Sequence, residues 1–143
     1  MPIWFASPNV DEANQRMRNV LPGYLGIQLT EFGDDYLRGT MPVEPRVHQP
    51  MGILHGGASV VLAETLGSVA AIHVVEFPKF YCVGQEINAN HIRPVKSGVI
   101  TGTARAVHLG SRSQVWSIEM RDEQERLTCI SRLTIAVVEA RNP

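Results

Sequence analysis

QPMGILHGG (residues 49–57) runs directly into ASVVLAETLGS (residues 58–68), and these residues decide the fold. Apolar side chains then continue around nearly every side of the predicted helix. We therefore expect a helix from Gly57 to about Val75 that is buried on all sides by a surrounding sheet. A single carboxylate, Glu64, lies within this apolar helix. Because burying an unpaired carboxylate costs free energy, Glu64 becomes a candidate for chemistry.

The segments on either side of this helix predict strands. Asn9 or Asp11 should cap a short polar helix that reaches Val20, where Leu21-Pro22-Gly23 ends it. A β-hairpin should follow, and four meander-like antiparallel strands should come after the long helix. The fold class is therefore α+β, a single domain over residues 1–143 whose sheet curls around one helix. The predicted strands are residues 26–31, 36–43, 81–93, 99–108, 113–121 and 127–138.

Composition narrows the possible partners. The chain has 143 residues, 44% of them hydrophobic, and a net charge of -1, which argues against broad attraction to nucleic acid or a membrane surface. The start lacks a basic leader, and no stretch reaches about 18 continuous apolar residues, so we expect neither export nor membrane insertion. Cys82 and Cys129 have no CxxC partner and fit two reduced, packed thiols, as in a cytoplasmic protein.

The start of the long helix has an electrophilic character. Gly56 and Gly57 leave backbone N–H groups uncovered there, and these groups, together with the helix dipole, attract a developing negative oxygen. The same glycines could instead only permit a tight turn and close packing. Glu64 lies two helical turns farther on, about 10 Å along the axis, so one subunit cannot easily bring both groups to one carbonyl.

Four motifs in order resemble a known family. They are residues 49–64, Glu86–Arg93, the turn His108–Arg112, and the strand around Val115 and Trp116. Together they resemble the hotdog-fold acyl-CoA thioesterases, in the branch of 4-hydroxybenzoyl-CoA and 1,4-dihydroxy-2-naphthoyl-CoA thioesterases. The resemblance implies a homodimer with edge-to-edge sheets and active sites between subunits, often paired again into a homotetramer. It implies no metal and no cofactor.

The resemblance also implies catalytic roles. Glu64 of one protomer would face Gly56, His55 and Gln49 of the other, as general base or as nucleophile. The Gly56 N–H would polarise the thioester carbonyl, and Gln49 and His55 could donate further hydrogen bonds. His55 could equally support the turn, and Gln49 could face solvent. Ser68, four residues after Glu64, could orient the carboxylate or bond back to the Glu64 carbonyl.

A second group of residues would bind coenzyme A. In the family, the elements that carry His91, Arg93, Ser111 and Arg112 hold its phosphates, although each arginine alone could be a solvated strand end. The expected activity is hydrolysis of aromatic or other bulky acyl-CoA thioesters in the cytoplasm. Alternatives are a hotdog dehydratase, a proofreading thioesterase on mis-acylated carrier proteins, and a noncatalytic acyl-CoA-binding protein.

Overall fold

A computed structural model describes residues 1–141. Its core is one six-stranded antiparallel sheet in the order β1-β2-β4-β5-β6-β3, with one long helix, α3, packed against it. The predicted hotdog architecture is confirmed. The strands are β1 (Gln28–Phe32), β2 (Tyr36–Pro42), β3 (Phe80–His91), β4 (Val99–Leu109), β5 (Ser113–Arg121) and β6 (Leu127–Glu139), and α3 spans Gly56–Val74.

The N-terminal region forms a strap and two helices beside α3. Asn9, one of the two predicted caps, caps helix α1 (Val10–Met17) by accepting a hydrogen bond from the backbone N–H of Glu12. The helix ends at Met17, three residues before the predicted end at Val20. The segment Leu21–Tyr24 forms a four-residue helix, α2, where the sequence predicted only a stop. Residues 2–8, here called the strap, are held where the Phe5 N–H bonds to the carbonyl of His73 at 2.8 Å.

Paired glycines set how closely α3 approaches the sheet. Gly39 of β2 and Gly102 of β4 are partners across the sheet, and a Cβ on either would lie within 2.8 Å of a Leu66 methyl group. Leu66 is fully buried in the hollow they leave, which anchors the middle of α3. Burying a leucine side chain is worth about 1.5–3 kcal/mol relative to exposure.

Only the side of α3 that faces the sheet is buried, so the expectation of burial on all sides is wrong for a single chain. Leu62, Ala63 and Ala70 are fully buried, whereas Val61 and Ile72 are only half-buried. The sheet covers one side of a helix, and the apolar residues on the other side need a further partner to be covered.

Helix α3 is also long and apolar enough to cross a membrane by length and composition, with a mean hydropathy of 1.5. In the fold it packs along the sheet, and 44% of its apolar window is buried inside the chain. The core therefore accounts for the apolar residues on the sheet-facing side of α3.

Strand β3 corrects the predicted meander, which holds only for β4, β5 and β6. β3 pairs with β6, from Phe80 opposite Glu139 to His91 opposite Cys129, and forms one edge of the sheet. The long helix carries the chain across the sheet before β3 begins, so β3 does not pair with the strand that follows it. Alternation of side chains along a strand does not reveal this choice of neighbour.

Asp122 organises the turn between β5 and β6. Its carboxylate accepts hydrogen bonds from the backbone N–H groups of Gln124 and Arg126 and from Nε of Arg126, at 2.8–3.0 Å. Burial raises the pKa of the Asp122 carboxyl, but the hydrogen bonds from Arg126 and Gln124 outweigh burial and lower the pKa overall.

Candidate active site

A cavity of about 330 Å³, here called the Gly56 cavity, opens at the start of α3. It brings together four predicted site residues that are distant in sequence. Gln49 and Gly56 come from the QPMGILHGG segment, and His91 and Arg93 come from the end of β3 and the bend after it. β3 ends at His91, so Arg93 lies beyond the strand on which it was predicted. The other residues that line the Gly56 cavity include Ile53, Leu54, Ser59 and Thr128.

His55 caps α3 and fixes its own tautomer in doing so. Its Nδ1 accepts a hydrogen bond of 2.8 Å from the backbone N–H of Gly57. In the neutral ring the proton must then be on Nε2, which is free to donate. The two roles that the sequence left open for His55 are therefore compatible, because one nitrogen supports the turn and the other can donate.

The backbone N–H of Gly56 is the free donor of this helix start. The Gly57 N–H is committed to His55, and the Ala58 N–H bonds to the His55 carbonyl at 3.0 Å. Within residues 1–141 the Gly56 N–H has no acceptor. A free N–H at the positive end of a 19-residue helix can bind a partial negative charge.

The side chains of His91 and Gln49 line the same cavity as this donor. The His91 ring packs against Gly56 so closely that a Cβ there would lie 2.7 Å from Nε2 of His91, which explains the glycine. The Gln49 amide oxygen accepts a hydrogen bond from the backbone N–H of Met51. The amide is thereby oriented, and its NH₂ group remains available as a donor.

Glu64 lies elsewhere, against the edge strand. Its Oε1 would be 2.6 Å from a Cβ on Gly84, so the carboxylate occupies the space that a side chain at position 84 would take. Gly84 adjoins a bulge, because the register of β3 with β6 shifts between Gly84 and Glu86. Among residues 1–141 the Glu64 carboxylate has no hydrogen-bond or ion-pair partner.

Gly84 was not among the predicted site residues. A glycine inside a strand pattern is the signal that could have found it, because such a glycine marks a bulge or a close approach.

Ser68 follows Glu64 by one helical turn on α3, and Cys82 precedes Gly84 by two residues on β3. The Ser68 hydroxyl makes no hydrogen bond within the described part of the chain, so of the two alternatives for Ser68 the bond back to the Glu64 carbonyl does not form there. Cys82 is half-buried on β3, and burial raises the pKa of its thiol to about 11. At neutral pH this thiol is protonated and is a poor nucleophile.

One chain does not assemble these groups into one site. Gly56 and Glu64 are eight residues apart on α3, which is about 12 Å of helix rise.

The two parts of the predicted CoA site are also separated. The Arg93 N–H bonds to Thr128 at the start of β6, whereas the Arg112 carbonyl bonds to Val137 near its end, about 30 Å away along the strand. Ser111 lies with Arg112 in that second turn.

No group of three or more His, Cys, Asp or Glu side chains in residues 1–141 is arranged to hold a metal ion.

Comparison with known proteins gives a consistent result. Residues 51–129 match the thioesterase superfamily. A 1,4-dihydroxy-2-naphthoyl-CoA hydrolase of Escherichia coli is 48% identical over 136 residues, covering 95% of this chain and 99% of that protein. A mutant thioesterase from Pseudomonas aeruginosa has a similar crystal structure, with a TM-score of 0.95 and 46% identity over 96% of this chain and 99% of that one. A thioesterase from Haemophilus influenzae superimposes with a TM-score of 0.93 and 44% identity, covering 96% and 95% of the two chains.

Proposed function

The chain belongs to the thioesterase superfamily and is a thioester hydrolase, and we propose that it cleaves aromatic or other bulky acyl-CoA thioesters to the free acid and CoA. The similarity to a hydrolase of 1,4-dihydroxy-2-naphthoyl-CoA supports a fused or single aromatic ring as the acyl group. Two free cysteines, Cys82 and Cys129, fit action in the reducing cytoplasm.

In the proposed mechanism the start of α3 binds the thioester oxygen. The Gly56 N–H is the main donor, and Nε2 of His55 and the Gln49 amide are candidates to add hydrogen bonds. These donors stabilise the negative charge that develops on the oxygen in the transition state. Glu64 either removes a proton from the water that attacks the carbonyl carbon, or attacks that carbon itself to form a mixed anhydride that water then cleaves. In both routes the carbon–sulfur bond breaks and CoA leaves as its thiol, the sulfur taking up a proton. Ser68 orients the carboxylate or the water.

The site is proposed to form between two protomers. Glu64 lies over Gly84 and Gly56 lies under His91, so both halves of the site rest on the same edge strand, β3. If the β3 strands of two protomers pair antiparallel with Gly84 opposite His91, Glu64 of one chain approaches Gly56 of the other.

The exposed side chains of the edge strand support this pairing. Tyr81 is 41% exposed and Val83 is 46% exposed on β3, although both are large and apolar. The same antiparallel arrangement brings Arg93 of one protomer to the end of the sheet where the other protomer carries Ser111 and Arg112. Phosphates of one CoA could then contact both groups. We further propose that two such dimers pair into a tetramer.

One observation carries the proposal, namely the free carboxylate of Glu64 held over Gly84. We expect Glu64→Gln and Glu64→Ala to lose roughly 10²- to 10⁴-fold in turnover of benzoyl-CoA while still folding, because neither side chain can act as base or nucleophile. Glu119→Gln on β5 is the matched control, since Glu119 is exposed, bonds only to Arg121 and lies away from the edge strand β3. Near-normal turnover in both Glu64 variants would refute the proposal.

The shared site has its own test. A Glu64→Ala chain mixed with a Gln49→Ala chain should recover activity in heterodimers, because one of the two composite sites then keeps both residues. Verified heterodimers that stay as inactive as the two parents would contradict a site shared between protomers.

A further inference from the structure

The loop between β3 and β4, residues 94–98, forms part of the wall of the Gly56 cavity. It follows Arg93 directly, and its residues Pro94 and Val95 line the cavity together with Arg93. All of these loop residues lie outside the helices and strands. Their position therefore depends on contacts from the rest of the chain, and two side chains from distant segments make such contacts.

His48 holds the loop from the side of the helix start. Its Nε2 lies 2.9 Å from the carbonyl oxygen of Lys96. A carbonyl oxygen can only accept a hydrogen bond, so Nε2 carries the proton and donates. The Leu54 N–H also bonds to the Val95 carbonyl, at 2.7 Å, which joins the same two segments. Because His48 directly precedes Gln49, its ring ties the loop to the segment that carries the proposed thioester donors.

Glu123 holds the end of the loop from the turn between β5 and β6. Its Oε1 accepts a hydrogen bond of 2.8 Å from the backbone N–H of Val99, the residue at which β4 begins. The same oxygen would be 2.6 Å from a Cβ on Gly98, so the carboxylate takes the space that a side chain there would need. Gly98 also has a φ of +82°, in the left-handed region that favours glycine. The end of the loop is thus built around the Glu123 carboxylate.

Arg93 combines a fixed backbone with a free side chain. Its N–H bonds to the Thr128 carbonyl at 3.3 Å, and Val95, two residues later, is buried. Arg93 is itself exposed, and within residues 1–141 its guanidinium group makes no hydrogen bond or ion pair. A cation whose backbone is already held in place loses less conformational entropy when it binds an anion. The contacts that hold the loop can therefore affect how well Arg93 binds.

We propose that His48 and Glu123 are positioning residues, which fix the 94–98 loop so that Arg93 meets the phosphates of coenzyme A. The proposal rests on the proposed binding of CoA phosphates by Arg93. Neither His48 nor Glu123 lines the Gly56 cavity, so both act through the loop and not by contact with the substrate. The helix start keeps its own backbone hydrogen bonds when either side chain is changed. The loss should therefore fall on recognition of the nucleotide and not on the reacting groups.

Variants that remove only the hydrogen bond test the proposal with two substrates, benzoyl-CoA and S-benzoyl pantetheine. His48→Phe keeps a ring without the donor, and Glu123→Met keeps the length of the side chain without the acceptor. Each should lower kcat/KM for benzoyl-CoA roughly 3- to 10-fold, mainly through KM, and change that for the pantetheine thioester less than about 2-fold. His48→Gln and Glu123→Gln retain a donor and an acceptor at similar reach, so both should stay near the parent.

Two controls separate positioning from a general loss of stability. Asp35→Ala removes an exposed contact to Arg105, which lies about 20 Å along β4 from Val99, and it should change kcat/KM for neither substrate. In an Arg93→Ala background, His48→Phe should cost no further activity on benzoyl-CoA, because the residue through which it acts has lost its charge.

Losses confined to benzoyl-CoA in His48→Phe and Glu123→Met, with both Gln variants near the parent, support the proposal. Equal losses on the two substrates, no loss on either, or an undiminished His48→Phe effect in the Arg93→Ala background overturn it. Arg93→Ala alone separates the two levels of the argument. If it affects both substrates equally, the proposed CoA contact is rejected and the positioning role with it. If it weakens only benzoyl-CoA while His48→Phe and Glu123→Met keep the parental ratio, only the positioning role is rejected.

Discussion

Replacing Gly84 by alanine should lower turnover roughly 10- to 100-fold without harming the fold. The new Cβ would lie 2.6 Å from Oε1 of Glu64, so the carboxylate must withdraw by about 0.8 Å to reach an ordinary contact of 3.4 Å. A misplacement of about 1 Å in an active site can cost roughly 10²-fold in rate. Each tenfold loss corresponds to about 1.4 kcal/mol in activation free energy.

The assay compares steady-state hydrolysis of benzoyl-CoA with urea unfolding of the same variant. Alanine is no worse than glycine within a strand, so the free energy of unfolding should be unchanged or slightly higher. In a Glu64→Asp background the side chain is one methylene shorter and clears the new methyl group, so adding Gly84→Ala should cost little further activity. The reasoning fails if Gly84→Ala alone keeps parental turnover, or if its cost is the same in both backgrounds.

Two further predictions concern other parts of the molecule. Arg93→Ala and Arg112→Ala should lower kcat/KM for every acyl-CoA by similar factors. They should have little effect on kcat/KM for pantetheine thioesters, which lack the nucleotide phosphates. Equal losses on both substrate types would show that the nucleotide is placed wrongly. Asp122→Asn should unfold more easily than the parent at neutral pH, and urea titrations should find this difference vanishing as the pH falls below about 4. Because folding lowers the pKa of the Asp122 carboxyl, its ionised form stabilises the folded state above the pKa of the unfolded state, and this stabilisation is lost as the pH falls through the folded-state pKa. A stability difference between Asp122→Asn and the parent that stays constant down to pH 2 would contradict this prediction.

The local features of the chain could be predicted from sequence because neighbouring residues decide them. Asn9 caps α1 because its side chain reaches an N–H three residues away, and the hairpin around Gly33 follows from alternating side chains and a polar turn. The long apolar helix with Glu64 inside it was visible for the same reason. Gln49, Gly56, His91 and Arg93 were each named through the family resemblance, the first two as catalytic and the last two as CoA-binding residues, and only the structure shows that they line one cavity.

Contacts between distant segments could be identified only from the tertiary structure. The position of β3 at the sheet edge depends on where α3 carries the chain, and no periodicity within β3 encodes it. The space for Glu64 depends on Gly84, twenty residues away, and the tautomer of His55 depends on a backbone N–H that is exposed only once the helix forms.

The sequence by itself therefore determined which side chains are available for chemistry, the class of fold and the boundaries of most elements, since these follow from hydrogen bonding and burial over a few residues. Tertiary structure decided which of those side chains meet. It separated Glu64 from Gly56 along one rigid helix and placed each against a different part of β3. A helix has a fixed rise per residue, so one chain cannot close that distance, and the edge strand left unpaired is the surface through which a second chain can do so.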